Sequence, residues 1–301
     1  NAALTATAGN IQGSNTQAGG FAELYAGTDI DAASVLAGGY VVATAEESVT
    51  NASFTSTGST VDVTATNVDV SNTDVVAFLA ATVWAGEDVI GSSVVSETAS
   101  VEVTADTGSI SATDADAATT VDFLAAIDIV GGSQKAGTNA ALTATAGNIQ
   151  GSNTQAGANA TLTAGTNMQG VSVLAGADAF LEATAGTMQG VAVLAGGDAE
   201  VIAGIQIDAT DFTAAESVYA PAGTFIVASS FIAETGSIDI RAIAGNIVDT
   251  TVVLKDADKT RDDLVLIRAG GELDAVWVDA ASDIDARSEE HTSELQSPNT
   301  I

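Results

Sequence analysis

The chain has 301 residues, and its 39 acidic against 7 basic side chains give a formal net charge of −32. A chain this acidic has no basic surface to displace counterions from phosphates, which excludes nucleic acid as a partner, and anionic membranes repel it. It contains no Cys, so a disulfide framework is excluded. No apolar run reaches the length of a membrane helix, and we expect no membrane span.

A repeat of about 20 residues runs along the chain from its first segment. One apolar residue recurs in units of the form x-L-x-A at spacings of 18 to 21 residues. We place this first column at Leu4, Leu24, Val42, Val63, Val83, Val103, Phe123, Leu142, Leu162, Leu181, Val201, Tyr219 and Ile240. The period is too short for a pair of helices, and the abundance of Val and Thr favours strands.

A second column lies two residues after the first. It consists of Ala6, Ala26, Thr44, Ala65, Ala85, Ala105, Ala125, Ala144, Ala164, Ala183, Ala203, Pro221 and Ala242. Residues two apart in a strand share a face, so a larger and a smaller apolar side chain point inward together in each coil. The core is therefore expected to be thin and built from small side chains.

A third column, five to seven residues after the first, is apolar in every coil. It consists of Ile11, Ile30, Val49, Val68, Val89, Ile110, Ile129, Ile149, Met168, Met188, Ile207, Phe225 and Ile247. The residue before it is polar, and in most coils it is Asn or Asp, which tolerate left-handed backbone angles at a corner. Stacked in register, these polar residues are expected to form a ladder along one edge.

The columns predict an all-β fold over residues 1–250, a parallel β-helix (β-solenoid) with coils of about 20 residues. One coil cannot bury its apolar side alone, so neighbouring coils must stack. Parallel crossovers favour right-handed winding, and we expect that hand. The pattern alone leaves the handedness open.

The pattern weakens beyond residue 250. Residues 251–263 are predicted to be a projecting polar loop, and residues 264–286 a further coil or a β-hairpin. Residues 287–301 are interpreted as a non-native tail, because RSEEHTSELQS reads like a translated sequencing adapter, and this tail holds the only histidine, His291. Residues 1–19 recur unchanged at 139–157, and the chain begins without Met, so we expect a fragment of a longer protein.

The segments AALTATAGNIQGSNTQAG, ATLTAGTNMQGVSVLAG and FLEATAGTMQGVAVLAGGD resemble the repeat arrays of filamentous-haemagglutinin-like exoproteins. The resemblance covers about residues 1–250. It implies a right-handed β-helical stalk of a large bacterial adhesin, secreted or held at the cell surface. It also implies export through an outer-membrane partner and contact with a surface receptor or glycan. The secretion domain typical of that family is absent from this sequence.

A calcium site is the one metal site that the sequence suggests. Asp256, Asp258, Asp262 and Asp263 begin like a calcium-binding loop. The pattern then departs from such a loop, because Arg261 stands where Gly is required and Ile267 where the bidentate Glu belongs. A charge-balanced surface loop is the favoured interpretation, and no metal or other cofactor is expected.

Two function classes fit a parallel β-helix. A carbohydrate-active enzyme, a polysaccharide lyase or hydrolase, needs clustered acids in a cleft, whereas the acids here are spread along the chain. We therefore expect no catalytic residues and no enzyme, but a structural or adhesive stalk segment. Trp84 and Tyr25 follow first-column positions, so both are expected to face outward, where they could stack on sugars.

Overall fold

The computed structural model describes residues 1–255, 264–280 and 283–288, together with the backbone of residues 295–296. Every regular element in these ranges is a β-strand, and none is a helix. Three strands form one coil of about 20 residues, and each pairs in parallel with the equivalent strand of the next coil. The predicted fold class is confirmed: the chain is a β-solenoid with three parallel sheets.

The chain divides into two compact units, which are described separately. Unit one comprises Asn1–Gly147 and Ser152–Ala156, and unit two comprises Asn148–Gly151 and Gly157–Ile301.

Unit one contributes strands to all three sheets. Its first-sheet strands are Ala2–Ala6, Ala22–Ala26, Val41–Ala45, Val61–Ala65, Ala81–Ala85, Val101–Ala105, Val121–Ala125 and Ala140–Ala144. Its second-sheet strands are Ile11–Gln12, Ile30–Asp31, Val49–Thr50, Val70–Ser71, Val89–Ile90, Ile110–Ser111 and Ile129–Val130. Its third-sheet strands are Asn15–Ala18, Ser34–Ala37, Ser53–Ser56, Asp74–Ala77, Ser93–Ser96, Asp114–Ala117, Ser133–Ala136 and Asn153–Ala156.

Unit two repeats the same arrangement. Its first-sheet strands are Ala160–Ala164, Ala179–Ala183, Ala199–Ala203, Val218–Ala222, Ile238–Ala242, Leu264–Ala269 and Asp283–Ser288. Its second-sheet strands are Ile149–Gln150, Met168–Gln169, Met188–Gln189, Gln206–Asp208, Phe225–Val227, Ile247–Val248 and Leu273–Asp274. Its third-sheet strands are Ser172–Ala175, Ala192–Ala195, Asp211–Ala214, Ser230–Ala233, Thr251–Leu254, Val276–Ala280 and Leu295–Gln296.

Alternation along the first-sheet strands places the first, third and fifth residues in the core. Two first-column assignments are wrong: Val42 and Tyr219 face outward, and Ala43 and Ala220 take the inward positions. The sequence rule chose the larger apolar residue of each pair. A shift of one residue exchanges the two faces of a strand. Choosing the larger side chain therefore assigned an outward-facing residue to the core at both positions.

The second column is more uniform in the structure than in the sequence assignment. Ala45 replaces Thr44, and Ala222 replaces Pro221, as the residue in register with the neighbouring alanines. With these corrections the column is Ala in every first-sheet strand through Ala269. Away from the first strand its members are almost fully buried. Because these alanines are buried, a larger side chain at this position would overpack the stack.

The third column is correct apart from two positions. Val70 and Ile226 are fully buried where the sequence assignment had placed Val68 and Phe225. Phe225 is instead 42% exposed. In unit one the turn between the first and second strands of a coil has three residues in some coils and four in others. A fixed number of residues after the first column therefore does not locate the start of the second strand.

A left-handed residue closes the turn between the second and third strands of each coil. In unit one this corner is occupied by Gly13, Ala32, Asn51, Asn72, Gly91, Ala112 and Gly131, and in unit two by Gly151, Gly170, Gly190, Ala209, Ala228, Asp249 and Ala275. The Asn and Asp residues before the third column, which tolerate left-handed or bridging angles, do not have positive φ. The left-handed residues of the coil therefore lie at the following turn, to which the sequence gave no role.

The boundaries beyond residue 250 also differ from expectation. Thr251–Leu254 is a third-sheet strand, so the first four residues assigned to the polar loop belong to the solenoid. Residues 256–263 lie outside the described residues. Leu264–Ala269 pairs in parallel with Ile238–Ala242, which makes the following segment a further coil and not a hairpin. Arg287 and Ser288, assigned to the non-native tail, continue the strand Asp283–Ser288.

Candidate ligand-binding groove

The second sheet of unit two carries a run of exposed amides. In its two-residue strands the first residue is buried and the second faces outward. Gln150, Gln169 and Gln189 hold the outward position in three successive coils and are exposed. The parallel register places equivalent residues of neighbouring coils about 4.8 Å apart, so the three amides form one column.

The column is joined by hydrogen bonds that all run in one direction. Nε2 of Gln150 donates to Oε1 of Gln169 at 3.1 Å, and Nε2 of Gln169 donates to Oε1 of Gln189 at 3.2 Å. The last amide, Gln189, donates to Oδ2 of Asp208 at 3.2 Å. These bonds fix the rotamers of the amides and leave part of each group's hydrogen-bonding capacity unused.

The predicted polar ladder before the third column lies beside the amide column. Asn167 donates Nδ2 to Oδ1 of Asn148 at 3.0 Å, and Oδ1 of Asn167 accepts the backbone N–H of Thr187 at 2.9 Å. In unit one, Oδ1 of Asp88 likewise accepts the backbone N–H of Ser109 at 2.6 Å. The ladder is thus confirmed, and its side chains hold one coil to the next.

The two rows enclose a groove of about 300 Å³. Its lining consists of Asn148, Gln150, Asn167, Met168, Gln169, Thr187 and Gln189. None of these side chains is ionisable, although the chain as a whole has a net charge of −32. The groove is therefore a neutral, hydrogen-bonding strip on an acidic protein, and we call it the amide groove.

A second groove, of about 510 Å³, follows three arginines in register on the first sheet of unit two. Nε of Arg241 donates to Asp239 at 2.8 Å, and Nε of Arg287 donates to Asp285 at 2.7 Å. These aspartates raise the pKa of both guanidinium groups. The charges of Arg241 and Arg287 are neutralised within their own strands, whereas the strand of Arg268 contains no acid. Arg287 belongs to the segment interpreted as a non-native tail. The arrangement favours structural ion pairing.

A second polar ladder precedes the first sheet and was missed in the sequence. Oδ1 of Asn159 accepts the backbone N–H of Asp178 at 3.1 Å, and Oδ1 of Asp178 accepts that of Asp198 at 3.0 Å. Asp198 in turn accepts from Ser217 at 2.8 Å. Asn159, Asp178 and Asp198 line a groove of about 310 Å³ with Phe180. Their carboxylates are thus engaged in coil-to-coil bonds.

Hydrogen bonds and burial shift the ionisation of a few outward groups in unit one. Donation from Asn51, Thr50 and Gln12 lowers the pKa of Asp31. Partial burial raises the pKa of Asp122, which is in register with Glu102 on the neighbouring coil. These are properties of stacked polar columns and form no acid–base pair.

Tyr25 and Trp84 face outward as predicted. The Tyr25 hydroxyl donates to Oε1 of Glu46 at 2.5 Å, and this bond raises the pKa of Tyr25. Trp84 lies on the outward side of Ala81–Ala85 and is half-buried. Phe21 and Tyr40 stack with their centroids 4.9 Å apart at a corner that the sequence analysis had not singled out.

The weak calcium candidates Asp256, Asp258, Asp262 and Asp263 lie outside the described residues, so their arrangement stays a prediction. Among the residues that the structure does describe, no group of three or more His, Cys, Asp or Glu side chains is arranged to hold a metal ion.

The amide groove was missed in the sequence although a signal is present. The tripeptides Ile149-Gln-Gly and Met168-Gln-Gly, followed by Met188-Gln-Gly, recur at the spacing of the coil. The apolar member of each tripeptide belongs to the third column, whereas the Gln was given no role. Attention to repeated outward residues would have found the column.

Comparison with protein-family models, curated proteins and solved structures gave no match to the chain. None of the described elements is a helix long and apolar enough to cross a membrane.

Proposed function

We propose that the chain is a structural and adhesive stalk segment of a large bacterial exoprotein that is secreted or held at the cell surface. The single observation that carries the proposal is the uninterrupted succession of short coils. Up to Leu254, the turns between strands contain only two to four residues. Over this described range the outward faces are therefore ladders of side chains, without long loops to build a closed reaction cleft around a substrate.

The stacking also suits a load-bearing element. Each coil is joined to the next by three parallel strand pairs and by side-chain ladders at two corners. Because all three sheets connect the same coils, separating two neighbours requires breaking these bonds together. The resemblance to filamentous-haemagglutinin-like exoproteins supports the same proposal. It implies a surface receptor or glycan as ligand and an outer-membrane export partner.

The test measures adhesion directly. Beads coated with the 301-residue chain are passed under flow over host-cell monolayers and bacterial lawns. Control beads carry an unrelated protein of equal negative charge at equal density. Retention of the coated beads well above the control supports the adhesive function, and equal retention on every surface contradicts it.

The rival function is a β-helical carbohydrate-active enzyme, a polysaccharide lyase or hydrolase. The clustered acids nearest to such a site, Asp178, Asp198 and Glu200, line the groove beside Phe180. Two of them accept backbone N–H groups of the next coil, which is a structural use of these carboxylates. This observation favours the stalk over the enzyme.

A further inference from the structure

We propose that the amide groove binds a neutral, hydroxyl-rich polysaccharide chain laid across successive coils. The inference rests on the proposed adhesive function and names its ligand class. It is carried by the three exposed amides Gln150, Gln169 and Gln189, held in register by a one-directional hydrogen-bond chain.

The unused hydrogen-bonding capacity of the amides matches a hydroxyl group. A Gln side chain has two N–H donors and an oxygen that can accept two hydrogen bonds. Gln169 spends one donor on Gln189 and one acceptor position on Gln150. One donor and one acceptor position remain on the same exposed group. A sugar hydroxyl both donates and accepts, so it pairs with each rung in the same way.

The repetition of the rungs favours a polymer over a single sugar. Equivalent groups on neighbouring coils recur about every 4.8 Å along the stack. A chain of sugar units presents hydroxyls repeatedly, so contact with one rung brings the next unit close to the following rung. Linked contacts of this kind raise the overall affinity without a strong contact at any one position.

Charge selects a neutral ligand. The net charge of −32 repels polyanions such as polyuronates and sulfated glycans, and the groove lining offers no cation to offset that repulsion. The lining contains no carboxylate either, and Asp208, at the end of the amide column, already accepts a hydrogen bond from Gln189. Because the ladder has already fixed the amide rotamers, binding orders few additional side chains, which lowers its entropic cost.

The experiment is calorimetric titration of the full chain with cellohexaose, maltohexaose and xylohexaose, and with a hexamer of polygalacturonate as the acidic probe. The variants are Gln169→Ala alone and Gln150→Ala/Gln169→Ala/Gln189→Ala. The matched control is Gln155→Ala, an exposed Gln on the third-sheet strand Asn153–Ala156 of unit one. Circular dichroism and thermal melting of every variant separate loss of a contact from loss of the fold.

We expect at least one neutral hexasaccharide to bind, and Gln155→Ala to bind it as the parent chain does. The triple variant should weaken binding by about tenfold or more, and Gln169→Ala severalfold. The proposal is overturned if no neutral hexasaccharide binds, if the acidic hexamer binds more tightly, or if the folded variants bind unchanged. If beads carrying the folded triple variant adhere as well as the parent, the groove proposal fails and the adhesive function stands. If the parent beads do not adhere, the adhesive function fails.

Discussion

The left-handed corner after the second strand is where single residues carry backbone strain. Gly occupies this corner in several coils, but Ala32, Ala112, Ala209, Ala228 and Ala275 adopt the same positive φ. An L-residue with a Cβ is disfavoured there by roughly 1–2 kcal/mol. The coil therefore tolerates alanine at a cost that the surrounding stack offsets.

This strain predicts opposite effects for opposite substitutions. Ala112→Gly should stabilise the chain by about 0.5–1 kcal/mol, since relief of strain exceeds the extra entropy of Gly in the unfolded chain. Gly170→Ala should destabilise the chain by about 1 kcal/mol. The cost comes from backbone strain alone, since a Cβ at residue 170 would meet no atom within 4 Å. Urea unfolding measures both, with Ala105→Gly inside a strand as the control that should destabilise. Stabilisation by Gly170→Ala would contradict the explanation.

A pH-dependent effect is expected at Asp122. Its pKa is raised in the folded chain by partial burial, so folding favours the protonated form. The protonated carboxyl of Asp122 therefore contributes stability below the pKa that it has in the unfolded chain. That stability is lost as the pH rises through its pKa in the folded chain. Asp122→Asn should therefore stabilise the chain at pH 7 and change little near pH 3. Urea unfolding at both pH values checks this, with Asp62→Asn, flanked in register by Val42 and Thr82, as control. An equal gain at both pH values for Asp122→Asn would argue against burial as the cause.

At the scale of the coil, one sequence occurs in two surroundings. Residues 1–19 and 139–157 are identical. The first copy begins at the strand Ala2–Ala6, whose only described pairing is with Ala22–Ala26, and its Ala6 is half-buried. In the second copy, Ala144 is fully buried. A comparison of Ala6 with Ala144 therefore separates the effect of coil stacking on stability from the effect of local sequence.

Replacement by Leu in the two copies should therefore differ. Ala144→Leu forces a larger side chain into the filled corner and should cost on the order of 1–3 kcal/mol. Ala6→Leu makes the same chemical change with one neighbouring coil fewer and should cost clearly less. Thermal and urea unfolding compare the two variants, and Thr143→Leu on the outward side of the same strand is the control. Equal costs for the two alanines would mean that the corner is not filled by stacking.

The elements that the sequence predicted are those that repeat in every coil. The period, the Ala column and the ladder at Asn167 follow from recurrence of one residue type. The assignments at Val42 and Tyr219 were wrong because the inward residue there is the smaller member of its pair. Hydrophobicity does not distinguish a small inward residue from a larger apolar neighbour that faces outward. The left-handed corner was not predicted, because four residue types (Gly, Ala, Asn and Asp) occupy it in different coils and no single residue type recurs there.

The candidate site was less predictable than the fold. The amide groove requires knowledge of which residues face outward on the same sheet, and a two-residue strand is too short to show alternation. The sequence instead directed attention to Asp256–Asp263, where a charged run resembles a calcium loop. Charged residues stand out in the composition more strongly than neutral amides do, although it is the amides that line the groove.

For the whole molecule, the dominant property is its negative charge. Acids that flank the first column, such as Glu23, Glu102 and Asp122, lie on the outward side of their strands. Glu102 and Asp122 are directly in register. Neighbouring coils are closer than the Debye length of about 8–10 Å at physiological salt, so repulsion is only partly screened.

Salt should therefore stabilise the chain. The melting temperature is expected to rise between a few millimolar and about 0.5 M NaCl, since screening reduces self-repulsion in the folded state. A thermal melt followed by circular dichroism measures the effect, and Glu102→Gln/Asp122→Asn should reduce it. A flat or falling melting temperature would contradict the proposed repulsion. A saturable response to micromolar Ca²⁺ would point to a specific calcium site, first of all in Asp256–Asp263.

We propose that the chain holds a surface ligand and does not transform it. The most direct measurement incubates the purified chain with a panel of neutral and acidic polysaccharides and follows retention on the polymer and release of products together. We expect retention on a neutral polysaccharide, no new reducing ends and no unsaturated products. Sustained product release that a single Asp or Lys substitution abolishes would contradict the account and establish the rival enzyme.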